Sequence, residues 1–127
     1  MIFGLGTDVV VSNRIAEGIA RFGPRFLNRI YTPYEQEAAP AVKTELYYAM
    51  RWAAKEAFVK ALGTGFAHGI GFRDIEVQNL PSGAPRLNVS GRAREILDVR
   101  APDARLFVSL SDDPPVSFAV VVIELPQ

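Results

Sequence analysis

Between about Lys43 and Leu62 the chain sets alanine at positions 49, 53, 57 and 61. At about 100° per residue these four fall on one line of an α-helix. A row of methyl groups lets a neighbouring backbone lie unusually near. Leu46, Met50, Ala54, Phe58 and Leu62 run beside it as the apolar face, and Trp52, Glu56 and Lys60 line up along its other flank. Lys55 projects roughly away from the apolar face. Glu56 and Lys60 therefore belong to the rim of a buried stripe rather than to open solvent.

The opening residues carry a matching feature. Ile2 to Val10 alternates as a strand, with Phe3, Leu5, Thr7 and Val9 on one side and Gly4, Gly6, Asp8 and Val10 on the other. Two glycines clear the face from which Asp8 projects, which fits close approach by another element or by a ligand. Next, Ser12 is placed to cap a helix with Ile15, Ile19 and Phe22 on one face, and Gly23-Pro24 interrupts it. The stretch "TPYE", Thr32 to Glu35, is a capping box with proline at the first helical position. Pro40 marks a break before the long helix.

Beyond that helix, "FRDIEVQNL" and "RLNV" read as a hairpin closed by "PSGAP", and Ser90 caps a short helix with Ala93, Ile96 and Leu97. Two last strands, "RLFVSLS" and "VSFAVVVIEL", meet at "DDPP". The order gives an α+β fold, mainly antiparallel sheet packed on one long helix, with residues 1–127 as a single domain. The last strand is apolar on both sides, so both faces call for cover, one of them by a neighbouring subunit.

Composition narrows the function. With 49% hydrophobic and 22% charged residues the chain is globular rather than disordered. Fourteen basic residues balance fourteen acidic ones, so no bulk field draws nucleic acid or an anionic membrane, and a charged partner must meet a local patch. The absence of cysteine excludes thiolate chemistry and cysteine-held zinc. The first ten residues lack a basic leader and do not read as a signal peptide, which makes the cytoplasm the expected compartment.

Three features carry possible chemistry. Glu56 precedes Lys60 by four, the favourable order for a plain helix ion pair, yet both lie at a half-buried edge. Gly63-Thr64-Gly65 is either an ordinary left-handed helix cap or a loop that turns its N–H groups toward a phosphate. Asp8 and Glu56, from distant segments, are able to share one hard cation, since Mg²⁺ commonly takes one or two carboxylates together with substrate phosphates.

"GLGTDVVVSNRI" and "RWAAKEAFVKALGTG" resemble the two signature motifs of the holo-[acyl-carrier-protein] synthases, the small bacterial 4′-phosphopantetheinyl transferases. "GIGFRDIEVQN", "SGAP" and "LFVSLS" fall in that family's order, so the resemblance spans nearly the whole chain. It implies transfer of phosphopantetheine from coenzyme A to a serine of an apo acyl carrier protein in fatty acid biosynthesis, with release of 3′,5′-ADP. It also implies a homotrimer with active sites between subunits. A non-catalytic module that binds carrier protein or coenzyme A on the same fold is the alternative.

Carried over by motif, Asp8 and Glu56 resemble the Mg²⁺ ligands and Lys60 the lysine on the pyrophosphate, with Glu56 and Lys60 the catalytic pair. Gly63, Thr64 and Gly65 resemble the turn beside the phosphates, with Arg51 and Ser111 as further coenzyme A contacts. Arg14, Arg21 and Arg25 belong to the patch that meets the acidic carrier. Two positions depart from the family. Val11-Ser12 stand where its first motif usually continues with Glu, and Asp112 follows Ser111 where it usually has His. The lone His68 reads as a solvated loop residue.

Overall fold

The computed structural model describes residues 1–127. Strand β1 (Ile2–Val11) leads into helices α1 (Ser12–Phe22), α2 (Pro24–Ile30) and α3 (Pro33–Glu37), then into the long α4 (Thr44–Leu62). A 3₁₀ turn at Phe72–Asp74 precedes β2 (Ile75–Asn79) and β3 (Pro85–Val89), and α5 (Gly91–Arg100), β4 (Arg105–Asp113) and β5 (Val116–Glu124) complete the chain. The strands form two sheets rather than one: a three-stranded antiparallel sheet ordered β1-β5-β4, and the separate β2-β3 hairpin.

The two small-residue rows find each other. The glycine face of β1 lies on the alanine line of α4. A Cβ at Gly4 would overlap the Ala61 carbonyl oxygen, and one at Gly6 would overlap the Ala57 carbonyl oxygen and stand 2.7 Å from the Ala61 nitrogen. The close approach expected at Gly4 and Gly6 is therefore made by the long helix. Ala49, Ala53, Ala57 and Ala61 are buried, and Ala119, Val121 and Ile123 of β5 complete the layer beneath them.

Lys55 does not face solvent. It is fully buried, 0% exposed, and donates to Glu35 Oε1 at 2.8 Å, to the Phe72 carbonyl at 3.1 Å and to the Ile75 carbonyl. The helical wheel placed Lys55 opposite the apolar face correctly, but α4 is covered on that side too, by α3 and the start of β2. Glu35, also 0% exposed, takes the Thr32 and Val77 N–H groups at 2.9 and 2.8 Å. The Thr32–Glu35 capping box forms as read from the sequence, and the same carboxylate doubles as the anchor for Lys55.

Three local expectations shift. Val11, not Ser12, is the N-cap residue of α1, and no side chain caps it. The start of "FRDIEVQNL" is a 3₁₀ turn rather than strand. Ser90 gives α5 no side-chain cap. The Asp74 carboxylate reaches across instead, accepting from Ala93 N at 3.3 Å and Gly71 N at 3.2 Å.

The last strand is covered on its inner face only. Outside, the register lines up Leu5, Val122 and Phe107 in one row and Val9, Phe118 and Ser111 in another. Leu5 is 62% and Val9 59% exposed. With Phe107 and Phe118 also exposed, these side chains lie next to one another across the three strands, the arrangement of an interaction face rather than of single scattered residues.

Candidate active site

Asp8 comes together with Glu56 and Lys60 because the glycine face of β1 rides directly on α4. Lys60 Nζ donates to Asp8 Oδ1 at 3.2 Å and to the Thr7 carbonyl at 3.0 Å. The plain Glu56–Lys60 pair of an isolated helix is thus replaced by a pair across elements. Glu56 is half-buried. Its carboxyl is raised above the usual range, first by burial and then by the negative charge of Asp8, and is lowered less by Lys60 and Arg14. Two like charges that repel through a shared space, with one lysine at the edge, form a site that favours added positive charge.

The donor set suits a hard cation. Two carboxylates on facing elements match the one or two that Mg²⁺ takes from a protein when phosphates and waters supply the rest. No group of three or more His, Cys, Asp or Glu side chains is gathered anywhere in the chain.

Gly63, at φ 86°, is the left-handed cap of α4. The N–H groups of Gly63, Thr64 and Gly65 all turn to the Val59 carbonyl, at 3.0, 3.1 and 3.2 Å. Of the two readings of this loop, the helix cap describes its backbone. Its amides close the helix instead of pointing outward. What it can offer a phosphate is close approach, with Lys60 nearby on the last turn of α4.

Arg14 lies near enough for its charge to act on Glu56, which places the start of α1 beside the carboxylates. Arg21 and Arg25 are exposed farther along. Arg25 and Arg29 border an apolar groove of about 450 Å³ whose walls are Phe22, Phe26, Ile30, Trp52 and Phe72. Phe22, expected on the buried face of its helix, is exposed on this groove. The groove escaped sequence reasoning because its walls come from α1, α2, α4 and the 3₁₀ turn, with no shared periodicity.

Two expected residues stand apart from Asp8, Glu56 and Lys60 within this chain. Ser111 is exposed on the outer sheet face beside Phe118, whereas Asp8 projects to the inner face. Arg51 is on another side of α4, only 6% exposed, with its guanidinium 3.9 Å over the Tyr47 ring and Nε lacking a hydrogen-bond partner. His68 is exposed, and its carbonyl accepts from Arg92.

Residues 4–118 match the family model of the 4′-phosphopantetheinyl transferase superfamily. The chain is 49% identical to the holo-[acyl-carrier-protein] synthase of Gluconobacter oxydans, an alignment covering 98% of this chain and 83% of that one. Its fold is similar to the crystal structure of holo-[acyl-carrier-protein] synthase from Neisseria meningitidis, with a TM-score of 0.87 and 39% identity over 98% of this chain and 99% of that one. It is also similar to the Bacillus anthracis synthase solved in complex with CoA (3′,5′-ADP), at a TM-score of 0.82 and 32% identity over 99% of both chains.

Proposed function

The chain belongs to the 4′-phosphopantetheinyl transferase superfamily, and we propose that residues 1–127 act as one cytoplasmic transferase unit of fatty acid biosynthesis. It moves 4′-phosphopantetheine from coenzyme A to a serine of an apo acyl carrier protein. The observation that carries this reading is the convergence of Asp8, Glu56 and Lys60 at the seam of β1 and α4.

In the reaction the serine oxygen attacks the β-phosphorus of coenzyme A. The bond from that phosphorus to the bridging oxygen breaks, 3′,5′-ADP leaves, and the serine proton passes to a base. Such transfers need positioning and charge stabilisation more than covalent help. Asp8 and Glu56 would hold Mg²⁺, which when bound supplies positive charge to the pyrophosphate oxygens. Lys60 exchanges its contact with Asp8 for the same oxygens. Glu56, half-buried at the seam of β1 and α4, takes the serine proton directly or through a water. The Gly63–Gly65 turn lies beside the phosphates.

The carrier protein docks on Arg14, Arg21 and Arg25. Their charges answer an acidic partner, and the groove between Phe22 and Trp52 accepts its apolar side chains. The outer sheet face, with Leu5, Val9, Phe107 and Phe118 exposed, is the contact by which a homotrimer forms. Ser111 lies on that face, so its coenzyme A contact is made to a site shared with a neighbouring subunit. Arg51, buried over the Tyr47 ring with its Nε unpaired, contacts coenzyme A only at a site completed by a neighbouring subunit.

Incubation with coenzyme A, Mg²⁺ and apo carrier protein, followed by weighing the carrier, tests the activity. A gain of one phosphopantetheine supports it. Binding with no gain in mass leaves only a binding module and overturns transfer.

A further inference from the structure

Four aromatic rings run in a line from the groove to the phosphate turn. Phe26 is stacked on Trp52, with ring planes 3° apart and centroids 6.3 Å apart. Trp52 meets Phe72 at 4.8 Å, and Phe72 is stacked on Phe66 at 3.9 Å with planes 18° apart. Phe66 directly follows Gly65. Its neighbours Gly65, Ala67, His68 and Gly69 are exposed, while Phe66 packs against the core. It is the apolar side chain that ties down the segment between the end of α4 and buried Ile70.

The remaining ties of that segment are hydrogen bonds, among them Arg92 Nε to the His68 carbonyl at 3.0 Å and Ile70 N to the Ala67 carbonyl at 3.1 Å. The three amides of the turn share the Val59 carbonyl, and the Gly63 amide also donates to the Lys60 carbonyl at 3.1 Å. The Thr64 hydroxyl bonds its own neighbour's carbonyl. Gly65 is in the left-handed region, φ 60°, with open space around it. These bonds close the turn onto the end of α4, and the Phe66 ring adds the apolar tie toward the groove. That ring leans on Phe72, which is also a wall of the groove. Phe72 is itself held, because its carbonyl accepts from buried Lys55 at 3.1 Å.

We propose that Phe66 is a positioning residue for the phosphate turn, and that the stack Phe66-Phe72-Trp52 makes the nucleotide side and the groove one packed unit. The inference rests on the functional reading above, in which the turn meets the phosphates of coenzyme A and the groove meets the carrier. Filling the turn then shifts the Trp52 environment, and by reciprocity an occupied groove tightens the hold on nucleotide. Stacked aromatic pairs stabilise their arrangement beyond simple area burial, which favours one loop arrangement over its neighbours.

The chain has a single tryptophan, so Trp52 reports on the stack without labelling. The test is titration of wild type, Phe66→Leu and Phe72→Leu with 3′,5′-ADP and with coenzyme A, following Trp52 emission and, separately, binding heat. Steady-state kinetics and thermal melting accompany it. The expected result is a change in Trp52 emission on binding to wild type, lost in Phe66→Leu. That variant's KM for coenzyme A rises roughly tenfold, a size that small displacements of positioning groups produce, while KM for the carrier and the melting temperature change little. Phe72→Leu raises both KM values. Wild-type binding heat with unchanged Trp52 emission, or a Phe66→Leu variant with wild-type KM for coenzyme A, overturns the inference and leaves the transferase reading intact. Wild type that binds neither ligand overturns both.

Discussion

Replacing Gly6 by alanine tests the seam on which the site is built. The new methyl would overlap the Ala57 carbonyl oxygen and stand 2.7 Å from the Ala61 nitrogen. Both are helix backbone, so no side chain can rotate away, and β1 or α4 must move. Overpacking of this kind costs about 1–3 kcal/mol, with the upper part of that range expected against a rigid helix. The lost freedom of the unfolded chain returns about 0.4–1 kcal/mol, leaving a net loss on the order of 2 kcal/mol. Gly71→Ala is the control. Its φ is −107° and nothing lies within 4 Å of the new methyl, so neutral to slightly higher stability is expected. Urea unfolding at one fixed protein concentration measures both, since self-association would otherwise enter. Ala57→Gly is not expected to rescue Gly6→Ala, because the colliding atoms are backbone. The displaced strand carries Asp8 with it, so divalent-ion affinity falls in the same variant. A Gly6→Ala protein with the unfolding midpoint of Gly71→Ala would refute the close-approach reasoning.

Lys55→Met leaves the Glu35 carboxylate buried without its cation and is expected to lose about 3–5 kcal/mol. Glu35→Gln combined with Lys55→Met should recover part of that loss in the same urea assay, because glutamine still accepts from Val77. Glu56 has a folded-state pKa raised above its unfolded value. An acid shifted that way binds its proton more tightly when folded, so its contribution favours the fold at low pH and is lost as pH rises through the carboxylate range. Glu56→Gln should therefore raise the melting temperature at neutral pH in the absence of divalent ions, and much less at a pH below that range. Arg21→Glu with Arg25→Glu should raise KM for the carrier at least several-fold and flatten its salt dependence, with KM for coenzyme A unchanged. Equal carrier KM in the variant removes these arginines from docking.

Much of this was legible because two local patterns were strict. The alanine line of α4 and the glycine face of β1 each announced a close neighbour, and the capping box announced the start of α3. What stayed hidden depended on contacts between segments remote in sequence. The wheel placed Lys55 opposite the apolar face, but only the fold shows that Glu35, Phe72 and Ile75 cover it there. Lys60 reads as a partner of Glu56 at four residues' distance, yet it pairs with Asp8 because β1 lies across the helix. Spacing leaves the loop Gly63–Gly65 with two readings, and only the fold shows that its N–H groups turn back to the Val59 and Lys60 carbonyls at the end of α4. Phe22 has the period of a core residue but lies at a helix end where α2 turns aside, and so lines the groove.

The sharing of one divalent ion by Asp8 and Glu56 is tested most directly by titrating Mn²⁺, as a stand-in for Mg²⁺, into wild type, Asp8→Asn and Glu56→Gln, with the free ion counted by its paramagnetic resonance signal. One bound ion per chain in wild type is expected, with affinity lowered tenfold or more by either substitution and melting curves still cooperative. Wild-type affinity in either folded variant would contradict a shared site.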